Sequence, residues 1–179
     1  TGIMAWRGLV AADRLPDEAR RPVGTNWIGV GGHVVTYPLR GGDIYNFVGV
    51  VEGRDWPIES WNERGTHDEC LADFEGWHPI VRRMIRNLNV PFKWALLGRE
   101  PLTSWAFGRL CLVGDACHPT LPFLAQGANM AIEDAFVIAR CIAAGTDDIP
   151  AAFRRFEQLR IERTSKIVRG SGETARRFQ

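Results

Sequence analysis

Apolar, β-branched and aromatic residues dominate the first third of the chain in short runs, and a helical rhythm takes over afterwards. Four runs read as strands: MAWRGLV from Met4, TNWIGV from Thr25, HVVTYPL from His33 and DIYNFVGVVE from Asp43. Glycines in GVGGH and LRGGD supply the turns between them. Residues 27–52 are therefore expected to form an antiparallel meander. In the last run Ile44, Asn46, Val48 and Val50 oppose Tyr45, Phe47, Gly49 and Val51. Both faces are largely apolar, so both are expected to be covered.

The helical region starts near Asn62. Thr66 followed by Glu69 is a capping-box signature for HDECLADFEGW. Pro79 suits the first turn of a second helix, in which Ile80, Met84, Ile85 and Leu88 share a face. FKWALL reads as a short strand. Further on, RLCLV (residues 109–113) is a continuous apolar run of the kind found in the middle of a parallel or mixed sheet. A Pro-rich loop leads from it into a helix from Ala125 to Ala143, with Gly145 as its stop. Pro150 opens a last helix with Ala152, Phe153, Phe156 and Leu159 as its apolar positions. The tail from Thr164 is polar and basic, and is expected to be solvated or frayed. Two domains are expected, residues 1–104 and residues 105–179.

Charge removes some function classes. The 179 residues carry 22 basic and 21 acidic side chains, a net charge of +1. No global field would attract nucleic acid or an anionic membrane. No apolar run approaches the roughly 18 residues of a membrane span. Cys70, Cys111, Cys117 and Cys141 form neither a C-x-x-C pair nor a zinc-ligand spacing, so no metal site is expected. Four free thiols and the lack of a signal-peptide pattern suit a reducing, cytoplasmic setting. The chain begins with Thr1, which reads as the start of an excised or processed segment.

The chemistry concentrates where RLCLV meets Gly114 and Asp115. Ligands bind α/β sheets beyond the carboxyl ends of strands, and a carboxylate there can accept hydrogen bonds from sugar or polyol hydroxyls. Gly114 keeps the backbone clear, Pro119 and Pro122 stiffen the loop, and Ala125, Gly127 and Ala128 remove bulk where the helix opens. Helix-end amides favour an anion. The same pattern also suits a packed turn with no ligand, and the residues alone leave both readings open.

GDACHPTLPFLAQGANMAIEDA resembles the second flavin-binding motif of the FAD-dependent aromatic hydroxylases, the group of salicylate, 3-hydroxybenzoate and 6-hydroxynicotinate hydroxylases. The resemblance implies that Gly114 and Asp115 hold the ribityl chain of FAD. It places Gln126 at the helix start and turns the amides of Gly127, Ala128 and Asn129 toward the pyrimidine edge of the ring. Pro122 would line the ring and the oxygen-reaction pocket. His118, also in the motif, reads as a structural hydrogen-bonding residue, with an acid or base role as the alternative. Upstream, His33 and Tyr37 match a His/Tyr spacing beside the aromatic substrate in these enzymes. Four residues apart places them on one face of a strand. There His33 would be the general base that draws the proton from a phenol, and Tyr37 a substrate hydrogen-bonder. A solvated strand-edge His33 and a core-filling Tyr37 are the alternatives. Arg7 could meet a substrate carboxylate, but it reads first as an exposed strand arginine.

One part of that pattern is missing. GVGGH and RGGD both lack the GxGxxG spacing that opens the adenosine-binding unit. The fold class is therefore α+β: an antiparallel or mixed substrate-domain sheet, then the strand–GD–helix part of an FAD-binding fold, without the N-terminal GxGxxG Rossmann unit. The implied function is that of a C-terminal portion of an FAD-dependent monooxygenase. It would use NADH or NADPH and O2 to hydroxylate a phenol, hydroxybenzoate or hydroxypyridine. The alternative is a non-catalytic remnant. In either case an uncovered apolar surface is expected to drive homo-oligomer formation.

Overall fold

A computed structural model describes residues 1–53, 63–144 and 147–177. The expected helical onset at Asn62 and the stop at Gly145 lie outside the described residues. The chain folds as two compact units, Thr1–Leu96 and Leu97–Arg177.

The first unit is built on β1 (Ile3–Ala11), β2 (Thr25–Gly29), β3 (Gly32–Leu39), β4 (Ile44–Glu52), β5 (Glu63–Arg64) and β6 (Phe92–Ala95). They form one sheet in the order β2-β3-β4-β1-β6-β5, antiparallel throughout. The expected meander is β2-β3-β4. Alternation divides the sheet into two faces. Met4, Trp6, Val10, Val34, Tyr45, Phe47 and Val51 enter a core with Cys70 and Phe74 of the first helical segment and Val81, Met84, Ile85 and Leu88 of the second. Those helices are α1 (His67–Asp73) and α2 (Pro79–Arg86). The capping box of Thr66 and Glu69 is present in both directions, at 3.1 Å and 2.8 Å. Pro79 occupies the first turn of α2. Trp6 Nε1 donates to Asp73 Oδ2 at 2.7 Å, tying β1 to α1. Gly49 is required by packing, since a Cβ there would lie 2.5 Å from the Phe74 ring.

The second unit contains a two-stranded hairpin, β7 (Ala106–Phe107) and β8 (Leu110–Cys111), and two helices, α3 (Gly127–Ala143) and α4 (Ile149–Arg177). RLCLV contributes a short strand whose apolar side is uncovered. Among the described residues only Leu110 and Cys111 are strand, they pair with β7 alone, and Leu110 and Val113 are exposed. The apolar run has a hairpin for a partner, so its outer side chains stay uncovered. The tail beyond Thr164 is not frayed, which corrects the expectation from its polar composition. It continues α4 to Arg177, because Thr164, Val168, Ser171 and Ala175 recur at helical spacing and are buried. Ser171 Oγ donates to the Leu121 carbonyl at 2.6 Å, fixing this stretch to the loop before α3.

Trp105, Cys117, Cys141, Ala152 and Phe156 form the core of this unit. The Glu157 carboxylate receives the N–H groups of Trp105 and Ala106 and the hydroxyl of Ser104. Burial alone would raise its pKa; those donors outweigh burial and hold it below the ordinary carboxylate range. No described helix is long and apolar enough to cross a membrane.

Candidate functional site

In the second unit the chain leaves β8, passes extended Val113, and turns sharply at Gly114–Ala116. Gly114 has φ 59°, a left-handed conformation suited to glycine. A Cβ at Gly114 would meet only Ala131 Cβ, at an ordinary 3.5 Å, so the visible requirement is backbone shape rather than space. The turn is held from both sides. The Gly114 carbonyl accepts the amides of Cys117 and His118, both at 3.1 Å. The Gly114 amide donates to Asp134 Oδ2 at 3.0 Å. Asp115, next in line, is exposed.

Asp134, on α3, is the hub. It is fully buried, and besides Gly114 it bonds His118 Nε2 at 2.6 Å and Arg160 Nε of α4 at 2.7 Å. A carboxylate accepting from three donors, one of them cationic, satisfies the rule that buried charge must be paired. Arg160 further reaches Glu133 at 2.7 Å and the Met130 carbonyl at 3.3 Å. Arg163 and Arg160 hold the Glu133 carboxyl down to about 2, with Arg163 the larger influence and burial opposing. His118 packs against the Trp105 ring at 5.2 Å between centroids. These contacts make His118 a buried hydrogen-bonding residue that braces the turn. Sequence reasoning missed Asp134 and Arg160. The signal was Arg160 itself, a charge four residues past Phe156 on the buried stripe of α4, which needs a buried partner.

Cys117, His118 and Asp134 bring their ligand atoms within 4.8 Å of one another, a spacing a metal ion could use. Their chemistry opposes it. The carboxylate is already taken by Arg160, and the Cys117 Sγ donates to the Gly114 carbonyl at 3.4 Å. Burial, reinforced by Asp134, pushes the Cys117 thiol up to about 12, far from a thiolate ligand.

After the turn, a short 3₁₀ segment, Pro122–Leu124, leads to Ala125 in the left-handed region at φ 51°. Helix α3 starts at Gly127, two residues later than the sequence pattern placed it. Gln126 is its N-cap residue and makes no side-chain capping bond. Helix-start amides without a capping side chain are left to water or to a ligand. Ala128 and Asn129 are exposed, and Gly127 is half-buried. Gly114, Asp115, Pro122, Gln126, Gly127, Ala128 and Asn129 thus fall on one continuous turn–loop–helix segment of the second unit.

His33 and Tyr37 lie in the first unit, on β3. Both project to the sheet face opposite α1 and α2, since Val34 between them enters the core. His33 is not a solvated edge residue. It is 7% exposed, with β2 on one side and β4 on the other. Burial lowers its pKa, which favours the neutral imidazole. Tyr37 lies opposite Asn46 of β4 and is 36% exposed, so it is not a core filler. Arg7 is half-buried and sits 4.0 Å over the Trp94 ring, in place of the exposed strand arginine expected.

The sequence pattern of the FAD binding domain family matches residues 17–167. The 3-amino-4-hydroxybenzoate 2-monooxygenase PtnB3 of Streptomyces platensis is 39% identical over 178 residues, covering 99% of this chain and 45% of that protein. The 6-hydroxynicotinate 3-monooxygenase of Pseudomonas fluorescens is 40% identical over 181 residues, covering 94% of this chain and 44% of that protein. Among solved structures, a salicylate hydroxylase substrate complex superposes with a TM-score of 0.82 at 32% identity, over 97% of this chain and 46% of that one. The chain spans about half the length of the curated relatives it matches.

Proposed function

The chain belongs to the FAD binding domain family, and from that premise we propose that it is the C-terminal portion of a flavin-dependent monooxygenase that hydroxylates a small aromatic ring. The observation that carries this reading is the uncapped start of α3 next to the Gly114–Asp115 turn. An exposed carboxylate beside unclaimed amide donors fits the two ends of a ribityl-isoalloxazine group, one rich in hydroxyls and one in carbonyls and anionic when reduced.

In this reading the Asp115 carboxylate accepts hydrogen bonds from the ribityl hydroxyls, with Gly114 giving the turn its shape. The amides of Gly127, Ala128 and Asn129, introduced by Gln126, donate to the pyrimidine edge. Pro122 stiffens the wall of the ring pocket. When bound, FAD supplies the oxygen-activating chemistry, with NADH or NADPH as reductant and O2 as co-substrate. The protein's other task is to ready the substrate. The neutral imidazole of His33 takes the proton from a phenol or hydroxypyridine hydroxyl, and Tyr37 hydrogen-bonds the same ring. The free thiols support a cytoplasmic setting.

A second reading has one specific observation behind it. Ile132 and Phe136 on α3 are 69% and 67% exposed, and Phe107, Leu110 and Val113 are exposed on the hairpin. So much uncovered apolar surface favours self-association of a chain that turns nothing over. Flavin retention by the complete protein decides between the two. Retention of a yellow chromophore through gel filtration, lost in Asp115→Ala, supports the enzyme; a colourless protein that elutes as an oligomer supports the second reading.

A further inference from the structure

Asp134 divides its two oxygens between the Gly114–Ala116 turn and helix α4. Oδ2 accepts the Gly114 amide at 3.0 Å and bonds His118 Nε2 at 2.6 Å, while Oδ1 accepts Arg160 Nε at 2.7 Å. The terminal torsion of an aspartate is soft, so bonds to one oxygen leave the carboxylate plane loosely set. Arg160 on the other oxygen fixes it. His118 leans on the same group: its Nδ1 is buried with no hydrogen-bond partner among the described residues, which leaves Asp134 as the ring's anchor. Arg160 thereby orients the acceptor that holds both Gly114 and His118.

Arg160 also grips the start of α3. Its Nη2 donates to the Met130 carbonyl at 3.3 Å, and its Nη1 pairs with Glu133 at 2.7 Å. Met130 closes the first turn of that helix, since its amide donates to the Gln126 carbonyl at 2.9 Å. Residues 127–129 lie inside that turn. The Arg160 side chain is buried, and three of its nitrogens meet three acceptors that a planar fork can reach together and a single ammonium cannot.

We propose that Arg160 is a positioning residue for the flavin site, setting the Gly114–Asp115 turn against the first turn of α3. The proposal rests on the monooxygenase reading above, in which the Asp115 carboxylate meets the ribityl hydroxyls and the α3 amides meet the ring. Arg160 touches neither FAD nor substrate; it acts through Asp134 and Met130. A buried ion pair is often no more stabilising than apolar side chains of similar volume, so the contribution of this one is geometric. Its charge has a second effect. Without it, Asp134 is an uncompensated carboxylate on the helix whose first amides receive a ring that is anionic when reduced, and like charge disfavours that state.

The test is titration of the flavin-stripped complete protein with FAD, together with the reduction potential of the bound flavin, well below the melting temperature of every variant. Arg160→Met should weaken FAD binding by about 10–100-fold, the range for a residue that orients a ligating group, and should lower the potential. Arg160→Lys keeps the charge and loses the fork, so it should weaken binding and leave the potential near that of the unaltered protein. Glu157→Ala is the control. It removes the acceptor of the Trp105 and Ala106 amides on the same helix, so it should lower the melting temperature and leave FAD affinity unchanged. FAD affinity that simply follows melting temperature across the three variants makes Arg160 merely structural and overturns the proposal. If Arg160→Met does not fold, Arg160→Lys decides, and an unaltered affinity in that variant overturns the proposal. If the unaltered protein binds FAD and both Arg160 variants bind it equally well, the proposal fails and the monooxygenase reading stands. An unaltered protein that binds no FAD overturns that reading, and the role of Arg160 with it.

Discussion

His118 Nε2 lies 2.6 Å from Asp134 Oδ2, with both side chains fully buried, and the same carboxylate bonds Arg160 Nε at 2.7 Å. One acid therefore ties the Gly114 turn, helix α3 and helix α4 together. Removing one partner of a buried ion pair costs about 3–5 kcal/mol, and because Arg160 keeps Glu133 at 2.7 Å the loss here falls at the low end of that range. Asp134→Ala should lose that much in urea unfolding. Asp134→Ala with Arg160→Met, which removes both charges, should recover a large part of it. If the double variant is no more stable than the single, Asp134 contributes through packing alone.

Acid should weaken both units by the same kind of event. Glu69 beside Lys93 and Glu133 between Arg163 and Arg160 are each held down to about 2, below the ordinary 4.5. A carboxylate whose folded pKa is depressed adds stability that is complete above its unfolded pKa. That stability is lost as pH falls through the folded value. Thermal melts should therefore be flat in this respect above about pH 4.5 and decline toward pH 2. Glu69→Gln and Glu133→Gln should each flatten that decline. The Glu69 side chain is 50% exposed and that of Glu133 35%, so solvent screens both; each effect is small and shrinks further at high salt.

Much of the fold was legible because its signals are local. The strand alternation of β1 to β4, the Thr66–Glu69 box and Pro79 at a helix start each depend on a few neighbouring residues, and the structure has them. RLCLV was readable as an apolar strand, but an apolar run does not name its partner, and among the described residues that partner is β7. The tail beyond Thr164 misled because Thr164, Ser171 and Ala175 are small, so their stripe does not look hydrophobic, although all three are buried. For the site, Gly114, Asp115 and the start of α3 fall on contiguous sequence, and their motif was readable at once. Asp134 and Arg160 were not, since their pairing spans 26 residues. The second sheet face was half readable: His33 and Tyr37 share a strand, while Arg7 joins that face only through the register of β1 with β4.

The start of α3 allows a stability–function trade. Asn129 lies in its first turn, exposed, and that turn contains no acidic residue. Asn129→Asp puts a negative charge at the positive end of the helix, which should stabilise the protein by about 0.3–1 kcal/mol. If the adjoining amides face a flavin that becomes anionic on reduction, the same charge should lower the flavin's reduction potential and weaken retention of the reduced form. A higher melting temperature with an unchanged potential would place the flavin ring elsewhere.

His33 makes the sharpest prediction about chemistry. Burial penalises the imidazolium, so the folded pKa lies below 6.5. Only the neutral ring can accept a phenol proton. Hydroxylation by the complete protein should therefore be level through neutral pH and fall as pH drops through that lowered pKa. The limb should sit on the acid side of an ordinary histidine's. His33→Gln keeps a polar side chain but cannot act as a base, so the rate should fall by about 10²–10⁴ and the acid limb should vanish with it. Stability moves in the same pH direction for a separate reason. The unfolded chain binds the proton more tightly, so protonation below pH 6.5 favours unfolding. Measuring the rate well below the melting temperature at each pH keeps the two apart. A His33→Gln enzyme with an unaltered pH profile would show that the proton leaves by another route.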